Sequence, residues 1–304
     1  PGRFDKVLAI NKCWLQDDLG NEIRNFVYHF CIKHNFTFYD LREHTGLMRN
    51  LMLRNTRKGD WMINVIFAKD EPDNRELLLN AISKKFNPHA LNYCINEKLN
   101  DSTFDQTFIS YKGNFEIQEE LNGLKFNISP KSFFQTNTVQ AEKLYEIALN
   151  FAEISKNDVV YDLYCGTGTI SCLAALRAKK TIGVEIIDEA IQAAKINASI
   201  NGIINVEFLV GDMKDVFNPQ FYASHGSPNV IITDPPRSGM HPKVVNYLSE
   251  IKCPKIVYVS CNPATQARDL SLMLSTYKVT KSKAVDMFPQ THHVENVVLL
   301  ELRS

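Results

Sequence analysis

Three absences narrow what this chain can be. Its seven cysteines, at 13, 31, 94, 165, 172, 253 and 261, are scattered, odd in number and never spaced Cys-x-x-Cys. That argues against a disulfide framework or a self-contained zinc site, so no metal site is expected, and it favours the reducing cytoplasm. No apolar run approaches the roughly 18 residues of a membrane span, so no membrane partner is expected. Neither sign of charge is in excess, with 34 Lys and Arg against 34 Asp and Glu. The overall field therefore does not advertise a polyanion, although local patches still can. The opening Pro1-Gly2-Arg3-Phe4-Asp5 lacks both an initiator methionine and the basic-then-apolar pattern of a signal peptide. A fragment trimmed at its N-terminus is the expectation.

What is present is an ordinary globular composition, 44% hydrophobic and 22% charged over 304 residues, enough for about two domains. The two halves differ in pattern. Residues 1–125 read as an α+β domain. Helices are expected at Glu22–His34 and Arg75–Phe86, with strands at Leu51–Leu53, Met62–Phe67, Phe104–Tyr111 and Phe115–Glu119. The last two strands flank Lys112-Gly113-Asn114. From 126 to 304 strands and helices alternate, the pattern of a doubly wound parallel sheet. The final segments, Tyr277–Val285 and Asn296–Leu302, read as a hairpin adding an antiparallel member. The fold expected is thus α/β, a Rossmann-like sheet preceded by a smaller α+β domain.

Within the second half, Ile256-Val257-Tyr258-Val259 reads as a buried strand, and Asn262-Pro263 stops it just after Cys261. Ligands and catalytic groups collect at such carboxyl tips. A thiol there is a nucleophile or a small buried hydrophobe, and the run alone does not choose. An earlier strand ends in Asp162-Leu163-Tyr164-Cys165-Gly166-Thr167-Gly168-Thr169, a glycine turn opening a helix. The third glycine of a dinucleotide fingerprint is missing, since Ser171 stands in its place. Glu185 lies 19 residues after Gly166, at the next tip, where an acid can hold ribose hydroxyls. Asp212 and Asp234 follow at the third and fourth tips. Carboxylates at successive tips suit a nucleoside cofactor with a cationic tail better than a dinucleotide. The competing reading, a nicotinamide dehydrogenase, has no evident hydride-transfer site.

These features resemble the class I S-adenosylmethionine methyltransferases. Four blocks sharpen the resemblance: Ser132-Phe133-Phe134-Gln135-Thr136-Asn137, Asp234-Pro235-Pro236-Arg237-Ser238-Gly239, the segment through Cys261-Asn262-Pro263-Ala264-Thr265, and Asp286-Met287-Phe288-Pro289-Gln290-Thr291-His292-His293-Val294-Glu295. In this order they are similar to the RNA uracil-5-methyltransferase family, which includes enzymes of 23S ribosomal RNA and of the tRNA T-loop. Arg237 stands where amine methyltransferases place a stacking aromatic.

The chemistry accounts for the residue types. Uracil C5 is too weak a nucleophile until a thiolate adds to C6, and a base must later take the C5 proton. Cys261 is assigned as nucleophile and Glu295 as base, both also implied by the resemblance. The resemblance further implies that Gln135, Tyr164, Glu185 and Asp234 hold S-adenosylmethionine, with Asp212 near the adenine. Asp234 would oppose thiolate formation unless Arg237 offsets it. His292 and His293 are assigned a structural or RNA-contacting role, and Cys165 a packing role.

Relatives in that family often carry an N-terminal RNA-binding barrel and a four-cysteine iron–sulfur cluster. Cys13 stands where the fourth cluster cysteine would fall, and one cysteine cannot hold a cluster. Ribosomal RNA is therefore the expected partner, ahead of tRNA, for a monomeric protein. The run Arg42–Lys58, with Arg49, Arg54 and Arg57, reads as a solvated face or as an RNA-backbone contact. A binding or folding factor of the same fold, with little activity, is the alternative from another class.

Overall fold

The computed structural model describes residues 8–103, 105–289 and 291–303. Phe104, Gln290, Ser304 and the opening residues, named above in an expected strand, a motif and the chain ends, lie outside them. The chain divides into two compact units, residues 1–119 with 128–131 and residues 120–127 with 132–304.

The first unit contains α1 (Asp18–Lys33), β1 (Met48–Asn55), β2 (Trp61–Phe67), α2 (Pro72–Phe86), β3 (Ala90–Ile95) and β4 (Phe108–Gly113). The strands form a sheet in the order β1-β2-β3-β4. β2 and β3 are parallel, so a crossover must join them, and α2 supplies it. Ile63, Val65 and Phe67 alternate along β2 and pack with Ile23 and Val27 of α1 and Leu78, Leu79 and Ile82 of α2. Ile66 joins a separate cluster with Cys94 and Phe108, as the period of two requires.

Two features of this unit were not read from the sequence. β3 was not anticipated. Its residues Ala90, Leu91 and Asn92 are all buried, so the alternation that marks a half-exposed strand is missing. The buried Asn92 side chain donates to Asn64 Oδ1 at 2.9 Å, which satisfies both amides in part. The strands around Lys112-Gly113-Asn114 do not pair with each other. β4 pairs with β3, while β5 (Ile117–Leu121) and β6 (Leu124–Ile128) form their own two-stranded sheet.

The second unit continues with α3 (Thr138–Ala152), β7 (Val159–Leu163), α4 (Thr169–Ala175), β8 (Lys180–Glu185), α5 (Asp188–Ile200) and β9 (Val206–Val210). Short helices α6 (Met213–Val216) and α7 (Pro219–His225) precede β10 (Val230–Thr233), α8 (Pro242–Ile251), β11 (Lys255–Ser260) and α9 (Pro263–Met273). β12 (Tyr277–Val285) and β13 (Glu295–Leu302) close the unit. The sheet order is β12-β13-β11-β10-β7-β8-β9. β7 to β11 are mutually parallel, and β13 runs antiparallel to both β11 and β12. The expected Rossmann-like sheet with a C-terminal antiparallel hairpin is therefore present.

Strand order reverses between β7 and β10, which opens a crevice at their carboxyl ends. The core that holds these tips still combines Tyr161, Ile182, Ile231, Ile256 and Tyr258 with Val244, Val245 and Leu248 of α8. No helix among the described residues is long and apolar enough to cross a membrane.

Candidate active site

The β7 tip is built from unusual backbone. Tyr164 has φ 66°, the left-handed region that costs most residues energy. It leads into Gly166 at φ 53° and Gly168 at φ 80°. A Cβ at Gly168 would lie 2.8 Å from the Phe208 ring and 2.9 Å from Ala194 Cβ, so only glycine fits. A Cβ at Gly166 would meet nothing within 4 Å, so this part of the turn borders open space. Glu185 fastens the turn to β8. One carboxylate oxygen accepts from the Gly166 N–H at 3.2 Å, and the other accepts from Ile186 and Ile187 at 2.8 and 3.1 Å.

At the β9 tip Asp212 caps α6 by accepting from the Lys214 N–H at 3.2 Å, and it pairs with the Lys214 ammonium at 2.6 Å. That pairing holds its carboxyl below the usual range. Gln135 precedes α3 and hydrogen-bonds the hydroxyl of the buried Tyr145. Asn137 caps α3 and donates to the Met287 carbonyl at 2.9 Å, which ties the 135–137 segment to the 286–295 block.

The β11 and β13 tips bring together two residues 34 positions apart in sequence. Their antiparallel register pairs Tyr258 with Val298, Val259 with Val297 and Ser260 with Asn296. One step further along that register stand Cys261 and Glu295. Asn262 caps α9 immediately after the cysteine, accepting from the Ala264 N–H at 3.1 Å. The Asp234–Gly239 loop is stitched to the same helix. Asn262 and Thr265 each donate to the Arg237 carbonyl at 3.2 Å, and Asp269 accepts from the Met240 N–H at 2.8 Å.

The electrostatics of these tips are those of acids held without a counter-ion. Burial raises the Asp162 carboxyl to about 7, opposed by hydrogen bonds from Ser171 and reinforced by Glu185. Asp234 is pushed well above the carboxylate range by burial, then by Glu295 and Asp162. Burial raises Glu295 to about 6. Among the described residues no lysine or arginine counters these three acids, and one Asp162 oxygen is buried without a hydrogen-bond partner. A cationic ligand would relieve this arrangement. Three features fit S-adenosylmethionine: the uncompensated acids, the Glu185 carboxylate at the second tip, and the open space at Gly166.

The Cys261 thiol is raised by burial, then by Glu295 and Asp234; its own backbone hydrogen bond and Arg237 act the other way. Arg237 thus works in the direction expected of it, but the burial and acid effects outweigh it. Attack by this thiol must be coupled to loss of its proton.

Seven site residues were singled out in the sequence: Cys261, Glu295, Gln135, Tyr164, Glu185, Asp212 and Asp234. All lie at or beside the carboxyl-end tips of the large sheet or, for Gln135, against Tyr145, whose hydroxyl feels Asp234 and Glu295. The basic run of the first unit is different. Arg49, only 1% exposed, donates to the carbonyls of Asn96, Lys98 and Asn100 and lies 4.3 Å from the Tyr39 ring. Arg57 pairs with Glu119 at 3.8 Å. Arg49 therefore serves the fold, and the RNA-contact reading of the run loses its central member.

Sequence reasoning missed Tyr145 and Asp269. Tyr145 lies on the buried side of α3 among Leu144, Ala148 and Leu149, outside every motif block. Asp269 sits among the inward positions of α9 with Gln266 and Met273, and an acid on a buried stripe was the available signal. Cys165 is buried, as a packing role requires. The rings of His292 and His293 lie 4.2 Å apart, tilted by 35°, and no group of His, Cys, Asp and Glu among the described residues could hold a metal ion.

Comparison with known proteins follows the same lines. A family model described as tRNA (Uracil-5-)-methyltransferase matches residues 47–216 and 221–303. A protein of Bacteroides thetaiotaomicron described as an uncharacterized RNA methyltransferase is 51% identical over 308 residues, covering 100% of this chain and 68% of its own length. A similarly described protein of Porphyromonas gingivalis is 49% identical, covering 99% of this chain and 66% of its own length. The chain thus spans about two thirds of the length of these relatives. Among solved structures, the Pyrococcus abyssi tRNA (uracil-54, C5)-methyltransferase in complex with S-adenosyl-L-homocysteine aligns with a TM-score of 0.81 at 29% identity. It covers 98% of this chain and 71% of its own length. The large sheet is that of the class I S-adenosylmethionine methyltransferases.

Proposed function

Since the chain belongs to the tRNA (Uracil-5-)-methyltransferase family, we propose that it methylates C5 of a uridine in RNA through a covalent bond between Cys261 and uracil C6. The observation that supports this reading is the β11–β13 ladder, which ends one residue short of Cys261 on one strand and of Glu295 on the other, with the thiol within electrostatic reach of Glu295 and Asp234. S-adenosylmethionine, when bound, would supply an electrophilic methyl group on a sulfonium sulfur, which keeps the S–CH3 bonding pair and leaves as a neutral thioether.

The residues of the chain do the rest. Cys261, which is only partly buried, passes its proton to solvent water as its sulfur bonds to C6, and the displaced C5–C6 electron pair makes C5 nucleophilic. C5 then takes the methyl group. Glu295, ionised, removes the C5 proton; the C6–S bond breaks and its electron pair returns to sulfur. Gln135, Tyr164, Glu185 and Asp234 would hold the cofactor, Glu185 through its ribose hydroxyls, with Asp212 near the adenine. The sulfonium charge of the cofactor would compensate the buried Asp234 carboxylate.

The target proposed is ribosomal RNA, because Cys13 falls where the ribosomal branch carries a cluster cysteine. The second reading is tRNA, favoured by the likeness to the Pyrococcus abyssi enzyme. Domain 126–304 carries the chemistry, and domain 1–125 is assigned to RNA contact.

The test incubates the protein with 5-fluorouridine-substituted RNA and S-adenosylmethionine. Fluorine at C5 blocks proton removal, so a denaturation-resistant adduct is expected, and it disappears in Cys261→Ala. RNA that binds without forming an adduct refutes covalent catalysis. Mass spectrometry of 23S RNA and tRNA from a deletion strain identifies the RNA that has lost 5-methyluridine.

A further inference from the structure

We infer that Gln266 is a positioning residue that holds Glu295 in register with Cys261, by clamping the base's strand to the nucleophile's strand and helix. The inference rests on the function proposed above. The β11–β13 ladder ends at the Ser260–Asn296 pair, one step short of both reacting side chains. Beyond it Glu295 keeps its partner Val285 in β12 but has none in β11, so its placement toward the nucleophile's strand depends on how firmly Asn296 is held.

Gln266 does the holding from α9, the helix that starts directly after Cys261-Asn262. It is 1% exposed. Its Nε2 donates to the Tyr258 carbonyl of β11 at 2.9 Å and to the Asn296 carbonyl of β13 at 3.2 Å. Its Oε1 accepts from Asn296 Nδ2 at 2.7 Å. From the other side Ser282 of β12 donates its hydroxyl to Asn296 Oδ1 at 3.2 Å. A primary amide is suited to this place because it offers two donors to two carbonyls and an acceptor to a third group. Leucine would fill similar volume and orient nothing. Glutamate would turn a carboxylate oxygen toward both carbonyls.

Addition of Cys261 to C6 and methylation of C5 do not require Glu295, whereas removal of the C5 proton does. A displaced base therefore stalls the reaction after methyl transfer, with the methylated RNA still bonded to sulfur. Misplacement of a catalytic group by about 1 Å costs up to about 100-fold.

The experiment uses the protein at its natural full length, ordinary uridine RNA and methyl-labelled S-adenosylmethionine in single turnover. For Gln266→Leu, methyl transfer should stay within about threefold of wild type while release of free methylated RNA slows about 10- to 100-fold. Labelled RNA–protein adduct then accumulates on denaturing gels. Asn296→Ala removes the same clamp from the opposite strand and should trap the same adduct, which keeps the test available if one variant folds poorly. Equal slowing of both steps, or release at the wild-type rate, overturns the positioning role while leaving the proposed function intact. A wild-type protein that binds RNA yet forms no 5-fluorouridine adduct overturns both.

Discussion

The two units treat buried charge in opposite ways. In the first, Arg49 is taken out of water but meets three carbonyls, the Asp101 carboxylate and the Tyr39 ring. In the second, Asp162, Asp234 and Glu295 lie together with no cation among the described residues to answer them. A charge that serves the fold is satisfied within the fold, because an unpaired buried charge is costly. A charge left uncompensated at a strand tip costs stability in the free protein and is relieved by a ligand of opposite sign. The contrast separates a structural arginine in a basic run from acids whose partner arrives from outside.

The largest effect expected is that of Cys261→Ala, which should lower methylation by about four orders of magnitude or more and leave the melting temperature unchanged. Single-turnover transfer of labelled methyl measures it, and substantial residual transfer would mean another nucleophile. Next come two substitutions that set the units against each other. Arg49→Met strands three carbonyls and should cost about 2–4 kcal/mol of stability in urea unfolding, without altering the salt dependence of RNA binding. Asp234→Asn removes a buried, uncompensated acid and should leave the melting temperature equal or higher. It should weaken S-adenosylmethionine binding about tenfold or more by calorimetry. If Arg49→Met instead weakened RNA binding in a stable protein, or Asp234→Asn destabilised the fold, the contrast would collapse.

The smallest effect is a pH dependence. Glu295 is a base only when ionised, and its carboxyl is raised to about 6. The first-order rate of release of methylated RNA from the protein in single turnover should therefore fall as the pH drops through about 6, by about tenfold per unit below it. Glu295→Gln should abolish that limb along with turnover, so its absence in wild type would remove Glu295 from the role.

Some of this could be read along the chain. Ile256–Val259 is continuous, apolar and β-branched, so its strand and the cysteine at its tip were visible in sequence. So were the glycine turn after β7 and the acids at successive tips, because parallel strands bury both faces and end in turn residues. The same burial hid β3, where asparagine and alanine interrupt the apolar run. Lys112-Gly113-Asn114 was legible as a break between two strands, and Gly113 does take φ 76°, but β4 finds its partner in β3. Local turn chemistry specifies a bend and not which strand lies beside it.

Glu295 shows the limit most clearly. Nothing within Asp286–Glu295 says by itself that a carboxylate meets Cys261; only a family pattern pointed there. Sequence by itself determined the elements, the tips and the residue types able to do covalent chemistry, because those depend on propensity and burial over a few neighbours. Tertiary structure decided which tips meet, through the antiparallel return of β13 onto β11. It also decided that Arg49 is a structural cation, and that Gln266, one polar residue on a helix, reaches both strands. Those outcomes depend on contacts 30 to 51 residues apart, and no local pattern encodes such separations.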